Sequence, residues 1–382
     1  MTILLNHFLK IYSKKADTSL FSNDELVYIE KHLKHKDPDT ILELKDSQSS
    51  ADGLQIPSLD NFIIERIKSA GFELQKIWGE DHSFAVCLTH DVDRVESYSP
   101  EVFIRNIRKN IRFNTSTVGK WKLRFNLMKT FIKSKIVKKE SDPLWHYEKW
   151  GELERKFNVY STYFMFVRPE EKDLLKYDCD YTLTDKMRYN GTMMTVSEYV
   201  YQLHQTGHEI GLHGSFLSAH KSELFKHQKE SLEAIIQKPI ISTRQHYLNY
   251  SDEQSCEIHS SNGIQLDSTF GSNYYAGFFN GTSFPIPFET SQGILWELPL
   301  IIMDSSLFHQ VTAIEKAKEI CITLIDQVEQ CGGILTVNFH PDYLNIDNYW
   351  NLYEFILEET SRRKAYFSTC SGILKKIKEC VE

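Results

Sequence analysis

The sequence predicts an α/β fold with a mainly parallel sheet, layered or closed into a barrel, and three observations carry that expectation. From Phe84 onward, short apolar runs alternate with stretches of helical periodicity. Several helix boundaries are marked: Thr195-x-x-Glu198 and Thr312-x-x-Glu315 fit the capping box, and Gly207 and Gly332 fit helix ends. Reactive side chains recur where the apolar runs stop. In a parallel sheet that C-terminal edge is where the connecting loops converge and sites gather.

Taken in order, residues 1 to about 80 read as short helices and loops, with a polar stretch from Lys45 to Gly53 that has the composition of a linker. The run Phe84-Ala-Val-Cys-Leu predicts a strand over 84–90, and the apolar segment from Val159 to Val167 predicts a second. The capping box at Thr195 starts a helix that Gly207 ends, and a short strand from Glu209 to His213 follows. Helices are expected over 221–236 and 252–262, then a strand from Ile294 to Pro299 and a helix from Thr312. A buried-type strand from Ile334 to His340 and a long helix near 347–363 complete the alternation.

At 382 residues the chain suits one large domain with additions, or two domains. With 41% hydrophobic and 13% aromatic residues it carries more apolar area than a disordered chain, and the formal charge of −8 argues against general nucleic-acid binding. Seven cysteines without a C-x-x-C pair suggest reduced thiols. The N-terminus lacks the charged region and cleavage site of a signal peptide, so a cytoplasmic address is expected. Nowhere do 18 apolar residues run together, and no transmembrane helix is expected.

The most informative segment is Phe84-Ala-Val-Cys-Leu-Thr-His-Asp-Val-Asp-Arg94, an apolar strand ending in two carboxylates spaced i, i+2. Strand side chains alternate between faces, so Asp91 and Asp93 point the same way. One carboxylate can hold a metal while its neighbour takes a proton from the bound water. Asp-x-Asp also caps turns, so the later segments matter. His213, at the end of the strand in Gly207-His-Glu-Ile-Gly-Leu-His213, occupies a matching position, and imidazole there is a natural metal ligand. Ser242-Thr-Arg-Gln-His-Tyr-Leu248 and Ile334-Leu-Thr-Val-Asn-Phe-His-Pro-Asp342 add further strand-end candidates.

Together, Thr89-His-Asp-Val-Asp93, Gly207-His-Glu-Ile-Gly-Leu-His213, Arg244-Gln-His-Tyr247, Asp267-Ser-Thr269 and Phe339-His-Pro341 come in the order of the motifs of polysaccharide deacetylases. The chain resembles the NodB-homology family over roughly residues 82 to 375, in the branch whose first motif reads Asp-Val-Asp. The resemblance implies a distorted (β/α) barrel over 81–380, with 1–80 as an N-terminal extension and a basic insertion at about 99–145. It further implies a divalent metal, usually Zn2+, with Asp93 and His213 as ligands, Asp91 as catalytic base, His340 as catalytic acid and Arg244 orienting the base. Tyr247 is expected at the substrate, its backbone N–H beside the developing oxyanion. The family's second ligand histidine normally stands four residues after the first, and here that position is Leu217. His220 could replace it only if Gly214 to Ala219 forms a loop, because on a regular helix it would lie about 10 Å along the axis from His213. His246 is an alternative third ligand or a substrate contact, and a site completed by water or lost altogether is the remaining possibility. Aromatics of Gly277–Pro287 and Trp296–Asp304 are expected to line a sugar groove or to serve packing.

Between Glu101 and Lys139 stand twelve Lys or Arg and one acidic residue, interleaved with aromatic and aliphatic side chains. Such a segment can lie on an anionic membrane surface, or it can be an insertion with solvated lysines. The resulting expectation is a metal-dependent N-deacetylase acting on an acetamido sugar of a cell-surface glycan or its lipid-linked precursor. Alternatives are a non-catalytic carbohydrate-binding barrel, a deformylase or cyclic amidohydrolase, and an adaptor working through the basic insertion.

Overall fold

Strand β1 (Ala85–Val92) is buried along its whole length, and the side chains of its first four residues divide by parity between two hydrophobic clusters. Ala85 and Cys87 join the cluster that contains Phe164, Phe166 and Leu212, whereas Val86 and Leu88 join one with Ile320, Leu324 and Ile356. A strand covered on both faces needs such a continuous apolar run, and the i, i+2 parity that carries Ala85 and Cys87 inward carries Asp91 and Asp93 the same way. The computed structural model describes residues 2–33, 55–95, 105, 144, 146–251, 254–343 and 347–382. The Lys45–Gly53 linker and, apart from Arg105, the basic stretch at 101–139 lie outside the described residues.

Beyond β1 come β2 (Thr162–Phe166), a small hairpin of β3 (Lys186–Tyr189) and β4 (Thr192–Thr195), β5 (Glu209–Gly214), β6 (Ser242–Gln245) and β7 (Leu266–Asp267). They are followed by β8 (Ile286–Thr290), β9 (Gly293–Glu297), β10 (Ile302–Met303), β11 (Ile334–Asn338) and β12 (Tyr366–Phe367). The main sheet runs β10-β11-β1-β2-β5-β6-β7-β9-β8, with β12 also on β1, and every pairing except the β8–β9 hairpin is parallel. The result is a curled half-barrel whose C-terminal edges face one side. Register fixes which residues meet there: Thr89 stands opposite Asn338, Phe166 opposite His213, and His213 opposite Arg244.

Helices cover the sheet much as the periodicity predicts, at Val196–Gln205, Ser222–Ile236, Gln254–Ser261, Ile314–Cys331 and Asp347–Arg362. The Thr195 capping box forms in full, and Gly332 takes the left-handed conformation that ends its helix. The box expected at Thr312 does not form: Ala313 is the N-cap and no side chain caps that helix. The sequence reading omits a final helix, Cys370–Val381, which buries Ile373, Leu374 and Ile377. Against it lies the first helix, Thr2–Tyr12, and Leu5, Phe8 and Leu9 of that helix belong to the same cluster as the strands' inner face. Tyr12 Oη donates to Asp60 Oδ1 at 2.6 Å, and Ser283 N–H and Oγ both donate to Asp60 Oδ2 at 2.8 Å. Those bonds tie the N-terminal helices to the loop before β8.

Candidate metal centre and active site

Two histidines at the ends of β5 and β6 have their tautomers set by backbone carbonyls. His213 Nδ1 lies 2.9 Å from Arg244 O, and His246 Nε2 lies 2.8 Å from Tyr177 O. A carbonyl oxygen only accepts, so each of those nitrogens carries the hydrogen, and in the neutral ring the opposite nitrogen presents a lone pair. The two lone pairs, on His213 Nε2 and His246 Nδ1, face each other at 2.9 Å. Two neutral acceptors at that distance repel, and a cation between them removes the conflict. Metal–nitrogen bonds of about 2.0–2.1 Å place two imidazole nitrogens roughly 3 Å apart on one ion. Asp93 Oδ1 completes the set, 3.4 Å from His213 and 3.7 Å from His246. Asp93, His213 and His246 are thus a group of donors, all within 4.8 Å of one another, that could hold a metal ion. Outer-nitrogen bonds to carbonyls are the usual support of ligating histidines.

The third member of that group is His246, and His220, which the sequence offers as the third ligand, is not part of it. His220 ends a 3-10 turn, Phe216–His220, that follows β5, and its Nε2 lies 3.5 Å from Asn249 Nδ2, away from the Asp93 group. Register explains the exchange. Parallel pairing sets Arg244 beside His213, so two residues further on His246 comes over the same edge.

Asp91, 3% exposed, is held on both oxygens: Arg244 Nη1 donates to Oδ1 at 3.0 Å and Asn338 Nδ2 to Oδ2 at 3.0 Å. Arg244 itself is fully buried, donating also to Thr89 Oγ1, Ser268 O and Ser268 Oγ, with its guanidinium 4.7 Å from the centre of the Phe164 ring. Burial works against the Asp91 charge, but Arg244 and then His213 and His340 outweigh it, leaving the carboxyl below its usual range. For Asp93 burial is likewise overcome, by His246, His213 and His340, and its carboxyl lies far below the usual range. Burial moves the His246 imidazole down.

His340 stands on the opposite side, its Nε2 3.9 Å from Asp93 Oδ2. Its Nδ1 lies 2.7 Å from Asp304 Oδ1, and its backbone N–H donates to Asp304 Oδ2 at 2.7 Å. Burial lowers the imidazole, yet the Asp304 carboxylate more than reverses this and holds it well above its ordinary value. Asp91, Asp93, His213, His246, Tyr247 and His340 share one cavity of about 980 Å³, whose wall also carries Tyr177, Tyr181, Tyr274 and Tyr343. Tyr247 is half exposed and sits in the left-handed region at φ 59°, with Leu248 next to it at φ 54°. Such backbone in a non-glycine residue is strained and turns the chain sharply after His246.

Three solved structures have this architecture at low identity. Two are proteins provisionally described as polysaccharide deacetylases. The one from Mycobacterium smegmatis has a TM-score of 0.51 at 17% identity, covering 79% of this chain and 92% of its own. The one from Pseudomonas aeruginosa PAO1 has a TM-score of 0.50 at 12% identity, covering 78% and 91%. The chain has the polysaccharide deacetylase fold. The PuuE allantoinase shares that fold, with a TM-score of 0.50 at 12% identity over 78% and 91% of the two chains. No family model and no curated relative matches the sequence.

Of the residues that surround the cavity or brace its wall, sequence reading passed over Asn338 and Cys179, and placed Asp304 only in a groove-lining segment. A strand-end polarity signal exists for two of them, since Asn338 ends the apolar β11 and Asp304 follows β10. Cys179 and the Tyr177 carbonyl come from a loop and have no such signal. The groove aromatics expected from Gly277–Pro287 and Trp296 do not line the cavity: Phe278, Phe284 and Trp296 are each about 2% exposed and pack in the core. Among the described residues, no helix is long and apolar enough to cross a membrane.

Proposed function

We propose that the chain is a metal-dependent hydrolase that removes the N-acetyl group of an acetamido sugar, with Asp93, His213 and His246 holding a divalent ion. The observation that carries this reading is the pair of opposed imidazole lone pairs beside Asp93, with a buried carboxylate on one side and a carboxylate-backed histidine on the other. Bound there, the ion supplies a water of lowered pKa and polarises the amide carbonyl. Asp91 is the base: Arg244 and Asn338 hold its two oxygens still and keep it ionised, so it can accept the water proton. His340 is the acid, since Asp304 keeps it protonated and orients its Nε2 toward the cavity, where it donates to the departing amine. The Tyr247 backbone N–H is assigned to the oxyanion, and the tyrosines of the wall suit the flat faces of a sugar.

Elemental mass spectrometry of the purified protein, together with acetate release from N-acetylated oligosaccharides, tests this. About one zinc or similar ion per chain is expected in the parent, lost in Asp93→Ala, His213→Ala and His246→Ala and kept in His220→Ala. Absence of stoichiometric metal after reconstitution would favour a non-catalytic carbohydrate-binding barrel. Because an allantoinase shares the fold, the screen includes ring-opened acids as products. A cell-surface glycan or a lipid-linked precursor, a cytoplasmic address, and docking of the 101–139 segment on anionic lipid all belong to the same proposal. Failure to co-sediment with anionic liposomes at low salt would remove the docking part.

A further inference from the structure

We infer that His90 is a positioning residue for His340, holding the turn from which that imidazole enters the cavity, an inference that rests on the reading of His340 as the acid. The carbonyls on both sides of His340 are bonded from the face of β1 opposite Asp91. His90 Nδ1 donates to Phe339 O at 2.8 Å, and Trp150 Nε1 donates to Pro341 O at 3.3 Å. Between them the His340 N–H donates to Asp304 Oδ2 at 2.7 Å, and Phe339 N–H donates to Thr89 O at 3.1 Å. The backbone at 339–341 is thus fixed from both faces of the sheet, and the direction in which His340 leaves it follows.

His90 is itself held in place. Strand alternation turns it away from Asp91 and Asp93, onto the face of Val86 and Leu88, where it is fully buried. Its Nε2 stands 2.8 Å from Glu154 Oε1. Glu154, also fully buried, accepts from Tyr353 Oη on Oε1 at 2.8 Å and from Ser161 Oγ on Oε2 at 3.1 Å. Glu154 and Trp150 are neighbours at i, i+4 on the helix Glu148–Lys156, so one helical turn braces both ties to the His340 turn. An apolar side chain would suffice here if packing were the whole requirement, because a buried histidine–carboxylate pair adds little net stability over well-packed hydrophobic residues. What the pair adds is a donor fixed against Phe339 O.

The consequence lies in the proton transfer to the departing amine. That step needs His340 Nε2 within hydrogen-bond reach of the leaving nitrogen. A misplacement of about 1 Å in such a group can cost on the order of 10²-fold in rate. Release of Phe339 O by His90 frees the turn to make a shift of that kind, without touching the residues that hold the ion or the base.

The test compares two amide replacements in the full-length, zinc-loaded protein. In His90→Asn the side-chain Nδ2 takes the place of the ring Nδ1 and reaches Phe339 O, whereas in His90→Gln the Nε2 takes the place of the ring Nε2 and meets Glu154 alone. With an N-acetylated oligosaccharide, kcat for acetate release should fall about 10–100-fold in His90→Gln and recover to within about threefold of the parent in His90→Asn, with KM and metal content unchanged in both. Hydrolysis of p-nitrophenyl acetate, whose nitrophenolate departs without a proton, should keep its rate in both variants. Equal kcat in the two variants, loss of the metal from His90→Gln, or a fall on the ester as large as that on the amide would reduce His90 to packing and overturn the inference, leaving the acid assignment standing. A parent that releases no acetate from the oligosaccharide would overturn the deacetylase reading, and this inference with it.

Discussion

Replacing Arg244 with methionine isolates the element that supports the proposed base. The guanidinium is fully buried and its Nη1 lies 3.0 Å from Asp91 Oδ1. At that separation and an effective dielectric of about 20, the Coulomb attraction is about 5–6 kcal/mol. Methionine removes the cost of burying the guanidinium but leaves Asp91 charged, buried and bonded only by Asn338, so the expected net loss is about 3–5 kcal/mol of folding stability at pH 7. The pH dependence follows from Asp91. In the parent its pKa is depressed, so its stabilising contribution is present above the unfolded carboxyl value of about 3.9 and is lost as pH falls through the folded one. In Arg244→Met the upward push of burial loses its main opponent, and protonation then relieves the penalty. Between pH 7 and pH 4 the parent keeps its contribution, so the second effect narrows the gap between variant and parent as pH is lowered. Urea unfolding at the two pH values, with Asp91→Asn and the double variant, completes a double-mutant cycle, and a coupling of about 1–3 kcal/mol is expected. A gap that is the same at pH 4 and pH 7, or a cycle with no coupling, would refute the account of Asp91 as a carboxylate held by Arg244.

Other consequences are equally open to measurement. Asp304→Asn removes the carboxylate that raises His340, so the alkaline limb of the pH–activity profile should move to lower pH; an unmoved limb would mean that His340 is not the titrating acid. Gly211→Ala should destabilise by about 1–3 kcal/mol, because a Cβ there would stand 2.5 Å from Phe164 Cδ1 inside a parallel pair, and unchanged chemical denaturation would contradict that packing. Burial pushes Asp60 up to about 6, so its contribution to stability is fully present below about pH 4 and is lost as pH rises through about 6. The parent should therefore lose about 2–3 kcal/mol from this group across that window, and Asp60→Asn should flatten this part of its stability profile.

Much of the architecture was legible because its determinants are local. The alternation of strands and helices from Phe84, the capping box at Thr195 and the glycine stop at Gly332 depend on residues a few positions apart, as does the shared face of Asp91 and Asp93. Where local signals were weak or competed, the reading failed. Thr312 had the spacing of a capping box, yet the helix starts one residue later and leaves it unused. The helix Cys370–Val381 lies outside the sequence reading although Cys370, Ile373, Leu374, Ile377 and Val381 recur at helical spacing and are buried.

By itself, then, the sequence determined an α/β chain with two like-facing carboxylates at one strand end and histidines at others. Tertiary structure decided which of them meet. His213 and His246 are 33 residues apart, and only the parallel register of β5 on β6 sets them face to face while His220, closer in sequence, is turned toward Asn249. Asp304 reaches His340, and Asn338 reaches Asp91, through neighbouring strands in the same way. Side chains on one strand follow a period of two that can be read from the sequence. Which strands lie side by side, and in what register, is set by burial summed over the whole sheet.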